Sequence, residues 1–599
     1  MSPKIDPITI EIVQNRLAQI SREAGIAVQH TAGSSVVVEA KDLGFNIADN
    51  KGRTIIYSVW MPRHGTTLGH IIRSVMRRYD LADIHPGDMV MVNNPYDGAL
   101  HLLDIAVVAP VFYKNQLVAW TGCATHHVDI GAVTPGFSPT ARDWFQEGIK
   151  FPPVKIVEEG KMRQDLFDMF LLNVRTPLLQ GLDLKAQIAS NNVAGRKIEE
   201  LVDGYGVSTI FACYDAMLDF SETKARSRIE ALPKGSFEVA DCIDFDRHYA
   251  VKCRLTVDDA GLTFDFTGTE EQSSTFFNCA FPCTEASVHN IVLCMLFSDI
   301  PANEGCLRPI KVIAPEGTIF NCKVPAPCSG ASVTSSWKVQ NLTISVLSKA
   351  LADSAERDRV VSGWGCGPTI PQFSGVGRNG KYFSVMLVDS VMQGSGARAT
   401  KDGVDAGASV AGSTNSSMAN VETIEQRFPL LYLQRGYVTD SEGAGKFRGG
   451  LGGEFAVVPY ETDRVETTVF YLGKDVVPQG MWGGHPGSSA MIKVKRKSDI
   501  WQASRNVSAS YQNLKGKEEV VGTHSDQIYL GRGDVFYART QGGAGLGDPQ
   551  QRDKSLVARD LKRGLISSGK ARDVYGLTAA SEKAGRQNRP KTEGKKRRP

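Results

Sequence analysis

The sequence predicts a mixed α+β chain with an N-terminal α/β region and a glycine-rich, β-containing C-terminal half. Apolar residues recur at helical spacing from Ile10 to Ala27, and a helical composition returns over residues 183–230. Short alternating stretches such as HYAVKCRLTV and LTFDFTG follow residue 236 and are typical of strands. Glycine becomes frequent after about residue 360. Together these patterns favour several packed regions of mixed structure.

The N-terminal elements can be assigned in order. Asp6-Pro7 is expected to open the first helix, because Asp caps free N–H groups and Pro fits the first helical position. SSVVVEA and TIIYSVW predict a hairpin with its turn at residues 48–52. A helix is expected from Leu68 to Tyr79, and HPGD is a turn before the strand MVMVN. The next two strands are expected to join at Lys114-Asn115.

The later elements follow the same logic, and the length of 599 residues is too great for one small core. ASVHNIVLCMLF and residues 551–580 have helical patterns. We expect four segments: an N-terminal α/β region with a candidate metal site over 1–235, an α+β middle region over 236–350, a glycine-rich β-containing region over 351–580 and a basic disordered tail over 581–599.

Composition excludes several classes of protein. Hydrophobic content of 42%, charged content of 22% and a net charge of +3 give no argument for binding nucleic acid or membranes. No apolar run reaches the roughly 18 residues needed to span a bilayer, and the N-terminus lacks a signal-peptide pattern. The 11 cysteines are scattered, which is typical of reduced thiols. We therefore expect a cytoplasmic protein.

Potential metal ligands are densest between residues 42 and 129. They are Asp42, His64, His70, Asp97, His101, Asp104, His126, His127 and Asp129. Imidazole nitrogen and carboxylate oxygen suit zinc, manganese or iron. Because neighbours on a strand face opposite sides, only one of His126 and His127 is expected to be a ligand. The alternative interpretation is a polar network that satisfies buried groups without a metal.

Other catalytic motifs are missing or weak. The sequence has no GxxxxGK[ST] phosphate loop and no GxSxG nucleophile elbow. GAGKFRGGLGG lacks dinucleotide-binding spacing and is interpreted as a tight turn region with positive-φ glycines. GASVTSS, residues 330–336, offers hydroxyls without an obvious partner base, and none of the cysteines has a persuasive activating setting.

Several motifs resemble those of the hydantoinase B/5-oxoprolinase family. NNPYDGALHLLDIAVVAPVF and THHVDIGAVTPGF carry its His-x-x-Asp and His-His-x-Asp patterns, and DFTGT, GAGKFRGGLGG, WGGHPG and ARDVYG follow in the family's order. The resemblance spans about Asp6 to Gly576. This family includes B-type subunits of ATP-dependent hydantoinases and lactam hydrolases, and large subunits of acetone and acetophenone carboxylases.

The resemblance implies a metal-binding B-type subunit of a hetero-oligomer. The implied ligands of one divalent metal (zinc, manganese or iron) are Asp42, His101, Asp104 and His126. Roles in substrate contact or in support of these ligands are implied for His127, Asp129, Glu39 and His64. It also implies an ATP-using A-type partner that phosphorylates a carbonyl oxygen of a small molecule, which accounts for the missing phosphate loop.

The implied reaction is hydrolysis of a cyclic amide, either a hydantoin or a lactam. FQEGI and the NVRTP segment look closer to the hydrolase members. The alternatives are a subunit of an ATP-dependent ketone carboxylase and a non-catalytic structural subunit. The chain departs from the family's motifs at Asn94 (commonly Asp), Leu100 (Thr) and Trp60 (His), and these departures are expected to reshape the pocket and affect which substrate it binds.

Overall fold

The computed structural model describes residues 5–57, 60–407, 417–503 and 510–577. The basic tail expected over residues 581–599 lies outside them. The described residues form α-helices and four β-sheets, which confirms the mixed α+β class. None of the helices described here is both long enough and apolar enough to cross a membrane.

A seven-stranded antiparallel sheet organises the N-terminal region. Its strands are β1 (Leu43–Asp49), β2 (Thr54–Ile56), β3 (Met89–Val92), β4 (Asp104–Tyr113), β5 (Gln116–His126), β6 (Val154–Glu158) and β7 (Lys161–Met162). They lie in the order β2-β1-β5-β4-β3-β6-β7. The β4–β5 turn falls at Lys114-Asn115, as the sequence predicts, and both residues have positive φ. This long hairpin sits at the centre of the sheet.

Helices cover both faces of this sheet. They are α1 (Pro7–Thr31), α2 (Ser35–Val38), α3 (Pro62–Arg78), α4 (Gln164–Leu172), α5 (Pro177–Tyr205) and α6 (Val207–Glu230). Val107 of β4 shares a buried cluster with Leu184 of α5. Its neighbour Ala106 and Ala124 of β5 share another with Leu68 of α3. Because side chains alternate along a strand, residues at even positions over 104–111 and 119–126 face α3 and those at odd positions face the opposite side, where α5 lies.

The middle region adds a second sheet and two helices. The strands are β8 (Gly235–Asp244), β9 (His248–Val257), β10 (Leu262–Asp265) and β11 (Ile310–Ile313), in the order β11-β10-β9-β8. Helices α7 (Phe281–Met295) and α8 (Ser335–Leu351) pack together, α7 against α3 and α8 against β8. One buried cluster contains Val107, Leu255 and Leu472, so the three predicted regions share a hydrophobic core. The boundaries near 235 and 350 remain predictions.

Two further sheets form the C-terminal region. One contains β12 (Thr369–Val376), β13 (Tyr382–Met386), β16 (Arg464–Tyr471) and β19 (His524–Gly531). The other contains β14 (Leu430–Tyr437), β15 (Gly453–Pro459), β17 (Met491–Arg496), β18 (Lys517–Val521) and β20 (Val535–Arg539). Phe373 of the first and Phe536 of the second belong to one buried cluster. Four short helices complete the region: α9 (Val421–Arg427), α10 (Ile500–Ala503), α11 (Lys554–Lys562) and α12 (Ser568–Asp573).

The glycine-rich segment 443–453 is a site of close backbone contact. The N–H of Gly443 donates to the carbonyl of Gly543 at 2.8 Å. A Cβ placed on Gly449 would lie 1.9 Å from the carbonyl oxygen of Gly543. None of the glycines in this segment has a positive φ, so that part of the sequence interpretation is wrong. Glycine is required here because two backbones touch.

Two N-terminal elements differ from the sequence prediction. SSVVVEA is not a strand, because residues Ser35–Val38 form the short helix α2, which Ser34 caps by accepting a hydrogen bond from the N–H of Val37. Burial of Val36 and Val37 there outweighs the strand propensity of valine. Helix α3 begins at Pro62 rather than near Leu68, with proline in the first turn. This earlier start brings residues 63 and 64 onto the helix.

Candidate metal centre

Asp104 and His126 meet across the central hairpin. They are paired residues on the antiparallel strands β4 and β5, and both occupy even positions that face α3. Asp104 Oδ1 lies 3.2 Å from His126 Nδ1. His101, in the loop before β4, places its Nε2 atom 3.0 Å from the same carboxylate oxygen. One ligand atom from each of these three buried residues lies within 4.8 Å of the other two.

Two more of the predicted residues adjoin this group. His64, on the first turns of α3, contacts Asp42 Oδ1 through Nε2 at 3.0 Å. Its Nδ1 atom points toward Asp104 Oδ2 at 3.9 Å. The N–H of His126 donates to the carbonyl of Asp42, which ties the segment before β1 to the end of β5. The structure thus brings together Asp42, His64, His101, Asp104 and His126.

The tautomer of His101 bears on what this group can hold. Its Nδ1 lies 2.6 Å from the carbonyl oxygen of Ser329, which can only accept, so Nδ1 carries a proton. In a neutral ring Nε2 then presents a lone pair to Asp104 Oδ1. Two lone pairs at 3.0 Å repel unless a positive charge lies between them. A backbone acceptor on the far ring nitrogen is also the usual support of a metal-binding histidine.

The carboxylates of the group are poised to stay ionised. Burial disfavours the charged form of Asp104, but His101 and His64 outweigh burial and hold the pKa of its carboxyl well below its usual range. Burial likewise opposes ionisation of Asp42, yet its hydrogen bond with His64 leaves its pKa lowered. Carboxylate oxygens and imidazole nitrogens together are a suitable donor set for a divalent cation.

Two buried atoms in the group have no hydrogen-bond partner within the described part of the chain. They are Asp104 Oδ2 and His64 Nδ1, and both are able to bind a cation. Buried polar atoms are rarely left unsatisfied in proteins, because each costs about 1–3 kcal/mol. The donor set, its burial and these unsatisfied atoms fit zinc, manganese or iron.

A narrow cavity opens beside the group. The cavity has a volume of about 80 Å³. Asp42, His64, His101, Asp104 and His126 all line it. Its apolar wall is formed by Leu100, Phe137, Ile370, Met386, Val388 and Val391, among others. The cavity therefore combines a polar floor with a wall that excludes water and suits a hydrocarbon portion of a ligand.

His127 faces away from this cavity. As an odd-numbered neighbour of His126 it points toward α5, where Nδ1 contacts Gln180 Oε1 at 2.7 Å and Nε2 contacts Gln187 Oε1 at 3.4 Å. Burial lowers the pKa of its ring. Strand alternation thus separates the two adjacent histidines, as the sequence predicts.

Asp129 and Glu39 also lie outside the cavity lining. Asp129 is buried and pairs with Arg175 at 2.9 Å. Glu39 lies at the end of α2, with Oε1 4.0 Å from Arg427, and its carbonyl accepts from the N–H of Ser417. Burial raises the pKa of Glu39.

Of the other candidates, His70 pairs with Glu285 at 2.6 Å, and Asp97 accepts hydrogen bonds from Ser74 and Asn94. Asn94, a departure from the family's motif, also caps the turn that carries Asp97 by accepting a hydrogen bond from the N–H of Tyr96.

Several residues of the cavity were not singled out from the sequence. Arg63 is adjacent to His64 in the chain, and that proximity was a usable signal. Phe137 ends the segment THHVDIGAVTPGF, so it too lies close to the ligand cluster in the chain. Ser329 and Trp337 reach the site from segments far from that cluster, so no local pattern could have identified them.

The chain matches known proteins along almost its whole length. The profile of the family described as Hydantoinase B/oxoprolinase matches residues 6–549. The caprolactamase subunit beta of Pseudomonas jessenii is 28% identical over 586 residues, covering 96% of this chain and 96% of that protein. The acetophenone carboxylase delta subunit of Aromatoleum aromaticum is 28% identical over 537 residues, covering 85% and 78%. The crystal structure of the ATP-dependent caprolactamase from Pseudomonas jessenii has a TM-score of 0.87 at 27% identity, covering 98% of this chain and 100% of that chain.

Proposed function

The chain belongs to the hydantoinase B/oxoprolinase family, and from this premise we propose that it is the B-type subunit of an ATP-dependent enzyme that hydrolyses a cyclic amide. The observation that carries the proposal is the buried His101, Asp104 and His126 group at the floor of a cavity with an apolar wall. End-to-end similarity to a caprolactamase subunit supports a lactam or hydantoin as the substrate class.

In this proposal Asp42, His101, Asp104 and His126 hold one divalent ion, zinc, manganese or iron. When bound, such an ion acidifies a water molecule and polarises a carbonyl or phosphoryl oxygen. His101 is fixed for this task by Ser329, and His64 orients the carboxylate of Asp42. The apolar wall keeps bulk water away from the reacting carbon.

His127, Asp129 and Glu39 act as positioning residues in this scheme. His127 anchors the end of β5 to α5 through two glutamines, so it fixes the backbone from which His126 projects. Asp129 binds Arg175 and stabilises the segment that follows β5. Glu39 lies on the segment that leads to Asp42.

The partner in this proposal is an ATP-using A-type subunit that phosphorylates the ring carbonyl oxygen. Relatives named as beta and delta subunits support a hetero-oligomer. A ketone carboxylase is the second candidate, supported by the acetophenone carboxylase relative. The extent of the alignments favours the hydrolase. The chain aligns with 96% of the caprolactamase subunit and with 78% of the acetophenone carboxylase subunit.

Elemental analysis and turnover test the proposal together. We expect about one equivalent of zinc, manganese or iron in the purified chain, and its loss in an Asp104→Ala, His126→Ala double variant. With an A-type subunit, ATP and caprolactam, hydantoin or 5-oxoproline, we expect the ring-opened acid by mass spectrometry. A carboxylated product from acetone or acetophenone with bicarbonate would instead select the carboxylase. Absence of metal after supplementation would reject the site.

A further inference from the structure

Arg63 is a buried cation that forms no ion pair with any residue the structure describes. Its side chain lies on the first turn of α3, lines the cavity and is only 5% exposed as a residue. One terminal nitrogen donates to the carbonyl of Ser332 and to Ser336 Oγ at 2.6 Å. Its Nε–H has no acceptor, and no carboxylate pairs with it in the described part of the chain. A buried guanidinium without a counter-ion is costly, so its position calls for a negatively charged ligand.

Trp337 adds a second unused donor at the same wall. It lines the cavity and is 5% exposed, and its Nε1–H has no hydrogen-bond partner among residues 5–57, 60–407, 417–503 and 510–577. A buried indole N–H normally has an acceptor. Since Nε1 can only donate, a ligand that satisfies it has to present an acceptor, such as a carboxylate or phosphoryl oxygen.

The start of helix α8 lies at this wall as well. Trp337 belongs to the first turn of this 17-residue helix, which has no side-chain cap. The first turn of a helix has N–H groups without intrahelical acceptors and a partial positive charge. Ser332 and Val333, just before α8, also line the cavity. Arg63 therefore lies directly against the segment that leads into the N-terminus of α8, and donates to its Ser332 carbonyl and Ser336 hydroxyl.

The charge balance of the cavity points the same way. Its lining contains two carboxylates, Asp42 and Asp104, and one guanidinium, Arg63. The two carboxylates balance a divalent ion, which leaves Arg63 as an excess positive charge.

We propose that Arg63, Trp337 and the first turn of α8 form an oxyanion subsite, which binds a phosphoryl or carboxylate group of the substrate beside the metal centre. The guanidinium supplies charge-assisted hydrogen bonds, and the indole and helix N–H groups supply fixed dipoles. The phosphoryl form rests on the proposed function, in which the ring carbonyl arrives phosphorylated. A carboxylate would instead belong to the substrate itself.

Calorimetric titration with orthophosphate and, separately, with acetate tests the subsite. Wild type, Arg63→Met, Arg63→Lys and Trp337→Phe are compared, each with its metal content and thermal unfolding temperature. We expect Arg63→Met to weaken orthophosphate binding by about tenfold or more, with unchanged metal content. Arg63→Lys should bind with intermediate affinity, and Trp337→Phe should weaken binding by about threefold. Preferential binding of acetate would assign the subsite to a substrate carboxylate.

Equal orthophosphate and acetate affinity in wild type and Arg63→Met, or no binding of either anion to wild type, would overturn the subsite. If Arg63→Met does not fold, the titrations of Arg63→Lys and Trp337→Phe test the subsite in its place, and unchanged anion affinity in both would overturn it. Metal content is measured independently. A wild-type chain that binds no metal therefore counts against the proposed function. A wild-type chain that binds metal but has the same anion affinity as Arg63→Met counts against the subsite alone.

Discussion

Asp104 and His126 are direct partners on adjacent antiparallel strands, and their side chains contact each other on the face of the sheet that α3 covers. The next residue, His127, projects through the opposite face and contacts α5. One step along a strand thus separates a candidate ligand from a residue that holds the scaffold. This separation can be tested directly.

His126→Ala and His127→Ala should have different effects, the first on metal binding and the second on stability. We expect His126→Ala to lose bound metal, because it removes one ring of the three-residue group. His127→Ala should retain metal and lower stability by about 2 kcal/mol, since it leaves Gln180 and Gln187 with unsatisfied buried atoms. Elemental analysis and denaturant unfolding distinguish the two. Metal loss in His127→Ala with full metal content in His126→Ala would show that the assignment is reversed.

Glu147 should make stability depend on pH. Its buried carboxylate accepts hydrogen bonds from the N–H groups of Cys328 and Ser329 at 2.8 and 2.7 Å. Burial raises its pKa from 4.5 to about 7. Between these values the folded chain keeps a proton that the unfolded chain has lost, so stability falls as pH rises through this window and levels off above it.

Glu147→Gln cannot titrate and serves as the matched variant. The difference in apparent unfolding free energy between wild type and variant should change by up to about 3 kcal/mol between pH 4.5 and 7. Denaturant unfolding at intervals across this range measures it. Parallel profiles for the two proteins would contradict the raised pKa.

Gly449→Ala should be severely destabilising. Its Cβ would lie 1.9 Å from the carbonyl oxygen of Gly543, and neither backbone can move without breaking contacts in the glycine-rich loops. We expect a cost of about 3 kcal/mol or more, or failure to fold. Gly436→Ala is the control, because nothing lies within 4 Å of the Cβ position there. Similar thermal unfolding temperatures for the two variants would argue against the close approach.

Local pattern predicted much of the fold. The β4–β5 hairpin, the helices over residues 183–230 and the strands after residue 236 are where periodicity placed them. The failures have physical causes. The valines of SSVVVEA favour a strand, but packing beside α1 turns them into the helix α2. The glycines of segment 443–453 suggested positive φ, whereas contact with a distant backbone is what requires them.

The sequence by itself determined the fold class and the family, and the spacing of His101, Asp104 and His126 determined that a hairpin could bring these three together. Strand alternation, which is a property of the backbone, also determined that the side chains of His126 and His127 point to opposite faces of the sheet. Only the tertiary structure decided that Ser329 holds His101 and that Arg63 and Trp337 face the same cavity. Those contacts join segments separated by more than two hundred residues. They arise because helices and sheets that are far apart in the sequence pack their apolar faces together, and local periodicity does not show which faces pack against each other.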